Sequence, residues 1–542
     1  MNRVIAEPYN IPVPRSPQEN PSISSSENFL SGLITDEDPV NIPPSALQVL
    51  QNGIYTRNLL IRRNGLSIYS LTKPNSQKVM AMYAFSSVNE GVNLIRFSPT
   101  TIYKATSAGW VEFTAASEAL AGTVNDYLSF ATLSGRAFFS NWGANHIMEL
   151  LPSTNEYEVL GNAEKYKYIT GAFNRVIGAY ANGITQVPYQ IGWSGNLNPD
   201  EWDPLVDISA GSIDLVSSPS DISDDITGLF NLASVLCVTR QRSIWLATNQ
   251  PSATDPFSFF VAVPRIGCDV PRTIILAADG IIFYNFQTST VYFYVPGAQP
   301  EDISGPIKRY LKSLISSPNE LFATFNFDTN SYTLFVSNNN NSTVIGFTFN
   351  FRSKTWSTET YQNISSCIDI DYASSNLTID ELVGTIADLE GSIDELGGLV
   401  ANSNRFFGSL TGELYTQPFF SGFEDQVDNI VDDDDGTTYE TVLCSKTIIT
   451  PVFNQYINYL VVTVTPYKAG SITLSYSKDD GQTYTAVKTV TFDSSDIFIS
   501  QLVTMRKLVN CRKIIWKVST SDCMCAVNRF DIQTYPSGVS RS

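Results

Sequence analysis

The stretch YKYITGAFNRVIGAYANGITQVPYQIGWSG, Tyr166 to Gly195, carries three strand-like segments in thirty positions. YKYITGAF, NRVIGAYA and YQIGWSG are each short and rich in aromatic and β-branched residues. Such residues fit a pleated, half-buried surface. The same texture runs in both directions. VMAMYAF, VNLIRFS and TIYKAT precede it, then YLSFATL, RAFFSN and HIMELL. ITGLFNL, SVLCVTR and SIWLAT follow it, then TIILAAD, GIIFYNF and TVYFYV, and finally LFATFNF, SYTLFVS and TVIGFTFN. Turn residues such as Ser134-Gly135 and Asp279-Gly280 punctuate the series. Three or four strands recur about every 40–50 residues, the sequence signature of a β-propeller. Six blades fall between residues 75 and 360. RFFGSLTGELYT (405–416), paired with a strand near 65–72, would complete a seventh and close the ring.

The remainder divides by composition. Residues 1–45, rich in Pro, Ser and Asn, read as an extended arm reaching a neighbour, and 46–423 as the propeller. Residues 424–439 (EDQVDNIVDDDDGTTY) read as an acidic linker. A calcium loop does not fit there, because Val431 occupies the first ligand position counted back from Gly436. Alternating strands fill 440–542 and predict a β-sandwich or jelly roll. The expected class is all-β. An insertion at 378–396, TIDELVGTIADLEGSIDEL, places Ile379, Leu382, Ile386, Leu389, Ile393 and Leu396 at spacings of three and four. That stripe is either a heptad seam or a tandem of short turns, since Gly384 and Gly391 oppose a helix. In both cases it is a candidate protein interface.

Charge and chemistry narrow the function. The net charge of −19 opposes tight binding to DNA phosphates. The seven cysteines are scattered and odd in number, which predicts free thiols, and Cys523-Met-Cys525 is too tight for zinc spacing. His146, the chain's one histidine, stands without a Ser or Cys motif that would make it a base. No apolar run suits a signal peptide or membrane helix, so folding in a cytoplasm is expected. No catalytic, cofactor or metal residue emerges, and the chain is expected not to be an enzyme.

Two motifs stand out. In IGWSGNLNPDEWDP (191–204), Trp193, Ser194, Pro199 and Trp202 frame a turn-rich loop, as pins that fix it or as a clamp for a sugar ring. Ser477, Asp479, Gly481, Thr483 and Tyr484 form a box similar to the Asp-box of sialidases, which is a hairpin-turn device and not a catalytic centre.

Several segments in order resemble the tail hub or nozzle proteins of short-tailed bacteriophages, the packaged-DNA stabilization family. They are NRVIGAY…YQIGWSGNLNPDEWDP (174–204), RIGCDVPRTIILAADGIIFYN (265–285) and TNSYTLFVS…FRSKTWS (329–357), with the 378–396 repeats and the DGQTYTAVKTV hairpin. In that family a strand ending in Trp-Ser precedes a Pro-x-x-Trp loop, as at Trp193-Ser194 and Pro199-x-x-Trp202 here. The resemblance covers most of 45–540 but neither the arm nor the oligomer contacts. It implies a homohexameric tube in the virion tail, assembled in the bacterial host cytoplasm. Its partners would be a head-to-tail adaptor, a tailspike or tail fibre and a plug or needle protein. DNA would pass through the lumen without tight binding, and contact with the host envelope would be indirect. No catalytic residue carries over. The rival expectation is a glycan-binding or sialidase-like propeller, which as a glycosidase needs two carboxylates about 5–10 Å apart. The chain's 53 Asp and Glu leave that reading open.

Overall fold

A computed structural model describes residues 22–372, 402–418, 430–449 and 455–536, less 28, 57–58, 70–71, 88–90, 107–108, 217–221, 233, 253, 278, 319–320, 338–341 and 432. The stripe from Ile379 to Leu396 lies outside the described residues, as do 1–21 of the arm and 424–429 of the linker.

Seven antiparallel units of four strands make up the propeller, the second carrying a fifth short strand, Thr114–Ala115, parallel to Glu156–Val159. The third is the stretch that opens the sequence reading: Tyr166–Ala172, Arg175–Asn182, Gln186–Trp193 and Gly211–Asp214. Blades 1 and 2 begin with Ala81–Ser87 and Leu128–Leu133. Blades 4, 5 and 6 begin with Ile226–Leu232, Ile275–Leu276 and Leu321–Asn326. First strands touch from blade 1 to blade 4 and from blade 5 to blade 7, and blade 7's first strand, Ile364–Tyr372, returns to blade 1's. The first strands therefore form the inner ring of a seven-bladed propeller. Within blade 3, Tyr166 lies across the two neighbouring strands, where a Cβ on Gly178 or Gly192 would come within 2.5 Å of its ring and 2.1 Å of its hydroxyl.

Ring closure uses the two ends of the propeller. Ser67–Ile68 is the outer strand of blade 7 and pairs with Leu414–Pro418, Tyr415 opposite Ile68. Closure of this kind leaves no first-to-last seam held by packing alone.

The remaining strands form a two-sheet sandwich. One sheet holds Gly53–Thr56, Leu59–Arg62, Cys525–Pro536, Gln455–Pro466 and Gln501–Cys511. The other holds Ala46–Gln51, Thr441–Ser445, Lys513–Thr520, Gly470–Ser477 and Thr485–Phe492. Leu460, Val462, Leu474, Trp516 and Val518 are buried between them. The expected domain limits differ here. Residues 46–62, read as propeller, belong to the sandwich because Leu47, Leu50, Tyr55 and Leu60 fill its core. Ser22–Glu27, read as part of an arm for a neighbour, pairs with this chain's own Cys525–Pro536. It covers backbone groups along one side of that long strand.

Propeller and sandwich are joined by backbone. Thr355–Gln362, the outer strand of blade 6, meets Ala46–Gln51 at Gln51 and Thr358, so blade 6 continues into a sandwich sheet. A buried polar cluster seals the joint. Arg63 binds both carboxylate oxygens of Asp434 at 2.9 and 2.5 Å and donates to the Thr360 carbonyl at 2.8 Å. Its guanidinium lies 3.7 Å from the Tyr439 ring. Nearby, Arg405 pairs with Asp369 at 3.0 Å and faces Glu359, which accepts from Thr348 and Tyr361. Burial works against the Arg405 charge, but Asp369, Cys367 and Glu359 hold it well above its ordinary pKa. The acidic run thus differs from a solvated linker: Asp434, 9% exposed, neutralises a buried arginine.

Candidate functional site

The tryptophan loop connects the third and fourth strands of blade 3. Both indoles are buried, but in different gaps. Trp193 packs into the core shared by blades 3 and 4, edge-on to Phe257 at 5.2 Å, and its Nε1–H donates to the Ser209 carbonyl at 3.1 Å. Trp202 packs into the core shared by blades 2 and 3, stacked on Tyr166 at 5.6 Å, and donates to the Pro199 carbonyl at 2.9 Å. Ser194, fully buried, accepts from the Val176 N–H at 3.1 Å, and Pro199 is buried beneath the loop. Arg136 of blade 2 adds an ion pair to Asp200 at 2.7 Å, holding that carboxyl below its usual range. The structure brings all four motif residues together with their polar atoms satisfied by protein, so the two indoles offer no free platform to a ligand.

What the pins hold outward is apolar. Leu197, Leu205, Val206 and Ile208 are 65, 93, 71 and 63% exposed. The carboxylates among them are turned to local use: Asp203 accepts from the Leu205 N–H at 2.8 Å, and Asp207 from the Ser209 N–H at 2.9 Å. The Ser209 hydrogen bonds hold the Asp207 carboxyl below its ordinary value.

The hairpin box closes the turn after Gly470–Ser477. Asp479 accepts from Ser477 at 2.6 Å and from the Thr483 N–H and hydroxyl at 2.9 and 2.5 Å. These bonds hold its carboxyl at about 2. Gly481 adopts φ 86° and donates its N–H to Ser477 at 2.9 Å. The half-buried Tyr484 hydroxyl lies 3.4 Å from Cys444 Sγ. The box sits at a distance in sequence and sheet from the propeller face, as a turn device. His146 Nδ1 lies 2.8 Å from Glu118 and the imidazole is 43% exposed. Cys237 and Cys268 are free and buried, and burial pushes both thiols up.

The sequence reading did not single out one further site. Tyr127, Trp142, Lys167, Tyr168, Tyr180 and Asp225 line a cavity of about 230 Å³. They come from the starts of inner strands and the ends of second strands in blades 2, 3 and 4, which all lie on one face of the ring. The tryptophan loop leaves the end of a third strand and so lies on the opposite face. Lys167 Nζ stands 3.6 Å from the Tyr180 ring centre and 4.9 Å from that of Trp142. Tyr180 (φ 60°) sits on a β-bulge, and Trp142 (φ 62°) follows a strand end; bulky residues seldom adopt such angles. Arg272, from the segment before blade 5, donates to the carbonyls of Asn125 and Asp126 at 3.2 and 2.5 Å. Those carbonyls precede blade 2, so the arginine spans the ring's face at its centre. The signal in sequence was faint: aromatic residues beside turns, among many aromatic residues beside turns.

No family model matches the chain, and no curated protein does. Among solved structures, similarity is found to the exo-β-1,3-galactanase of Phanerochaete chrysosporium with galactose. That match has 10% identity, 67% of this chain, 94% of that one and a TM-score of 0.23. YCF48 from Cyanidioschyzon merolae matches at 9% identity over 65% of this chain and 98% of that one, with a TM-score of 0.35. TmCBM61 in complex with β-1,4-galactotriose matches at 14% identity over 18% of this chain and 65% of that one, with a TM-score of 0.14. Likeness this distant carries nothing about substrate or partner. The chain is an all-β protein, a β-propeller joined to a β-sandwich.

Proposed function

We propose that this chain is a structural subunit of a virion tail, the hub or nozzle of a short-tailed phage. Copies assemble into a homohexameric tube that retains packaged DNA and gives it an exit. The tube docks an adaptor at one end and tailspike or fibre and plug proteins elsewhere. The observation that carries the reading is the pinned loop: a rigid scaffold presents Leu197, Leu205, Val206 and Ile208 to the outside. Exposed apolar groups held this firmly favour protein contact over solvent. Copies of charge −19 repel at long range, so a stable contact between them has to be apolar and local. The ordered motif resemblance to the nozzle family supplies the remaining support. Arg272 spans the propeller's own axis, so a conduit for duplex DNA belongs between subunits and not through one of them.

The test is particle mass in solution together with electron microscopy. A six-fold ring with an axial channel is expected. Leu205→Glu with Val206→Glu, both at strongly exposed positions, should yield monomers with unchanged melting. A wild-type chain that stays monomeric at all concentrations overturns the proposal.

A further inference from the structure

We infer that the blade 2–4 face of the propeller binds one neutral saccharide ring in the cavity beneath Trp142 and Tyr180. The inference rests on the cavity alone and holds whether or not the chain forms a tube. Four polar groups line it without a hydrogen bond to any described residue: the hydroxyls of Tyr127, Tyr168 and Tyr180 and the carboxylate of Asp225. Tyr168 is 3% exposed and lines the cavity, so what its hydroxyl meets is the cavity's occupant. Phenols donate and accept, a carboxylate accepts and an ammonium donates, which is the mixed set that a ring of hydroxyl groups requires.

Charge excludes an anion as the better ligand. Lys167 and Arg272 are matched by Asp225 and Asp269, all four lining the cavity. Lys167 is already held between two aromatic rings and attracted by Asp225. Burial lowers the pKa of Lys167 and raises that of Asp225, while each group's charge acts in favour of the other's. Aromatic surfaces of Tyr127 and Trp142, perpendicular at 5.8 Å, supply an apolar wall for the carbon face of a sugar. A volume of about 230 Å³ lies below the roughly 300–1,000 Å³ of drug-sized pockets, so one ring is admitted and not several.

The probes are the methyl glycosides of glucose, galactose and mannose, with gluconate as the anionic counterpart, followed by saturation-transfer NMR on the full chain. Transfer to at least one neutral glycoside at millimolar concentration is expected. Asp225→Asn and Lys167→Met should each weaken it about tenfold without lowering the melting temperature. An oligosaccharide ending in the bound ring separates two sources of the ligand. Binding at least as strong as the glycoside's assigns the site to glycan ends, and exclusion assigns it to free sugars. The inference fails if no neutral ring shows transfer, if both variants bind like wild type, or if gluconate binds more tightly than every neutral probe.

Discussion

Trp193 and Trp202 show how much a single side chain can decide. Each fills a gap between blades: Trp193, at a strand end, donates its N–H to a loop carbonyl, while Trp202, in the loop, packs into the scaffold and bonds the loop to itself. Replacing either with Ala is expected to cost about 3–5 kcal/mol in thermal or denaturant unfolding. Trp202→Phe should recover most of that, because stacking on Tyr166 survives while the bond to Pro199 is lost. Asp434 matters for a different reason. Asp434→Asn leaves Arg63, 1% exposed, without its counter-charge, and a loss of about 3–5 kcal/mol is expected from denaturant midpoints. The sequence marked both tryptophans by their setting, but gave Asp434 no distinction from Asp433 or Asp435. Only the position of a distant arginine separates the three.

At the scale of elements, periodic strands were readable because a half-buried strand writes its two faces into alternate residues. Closure of blade 7 was readable in outline, since an unpaired strand at each end of a ring asks for the other. The closing pair is short, and Glu413 reinforces it. Burial opposes ionisation of Glu413, yet Lys73, Thr411 and Ser409 hold its carboxyl at about 2. Lys73 lies just beyond the closing strand and pairs with Glu413 at 2.5 Å. A carboxyl depressed in the fold contributes stability above its unfolded pKa, about 4.3, and loses it as pH falls towards 2. Melting temperature should therefore fall between about pH 4.5 and 2, and Glu413→Gln should flatten that limb. An unchanged pH profile in the variant would show that the pair adds nothing to closure.

For the whole molecule, the two faces of the propeller differ in what they present. One carries the exposed apolar residues Leu197, Leu205, Val206 and Ile208. The other carries the aromatic cavity. A net charge of −19 predicts no salt-sensitive binding to duplex DNA by the purified protein at physiological ionic strength. Filter binding or fluorescence anisotropy at several salt concentrations measures this directly. Tight binding that weakens steeply with salt would contradict a slippery lumen wall.

By itself the sequence determined the all-β class, the recurring blades and the turn devices, because strand alternation, turn chemistry and local caps act over a few neighbouring residues. The Ser477–Tyr484 box makes its bonds within itself and could be read as a unit. Tertiary structure alone decided that residues 46–62 serve the sandwich, that Ser22–Glu27 folds onto its own chain, and that Asp434 is an ion partner. It also decided the cavity, whose walls come from blades 2, 3 and 4 and the segments before blades 5 and 6, and join residues from Asn125 to Pro318. These features depend on which distant surfaces meet. Pairing of that kind is set by long-range burial and charge compensation, for which no short window of sequence carries a mark.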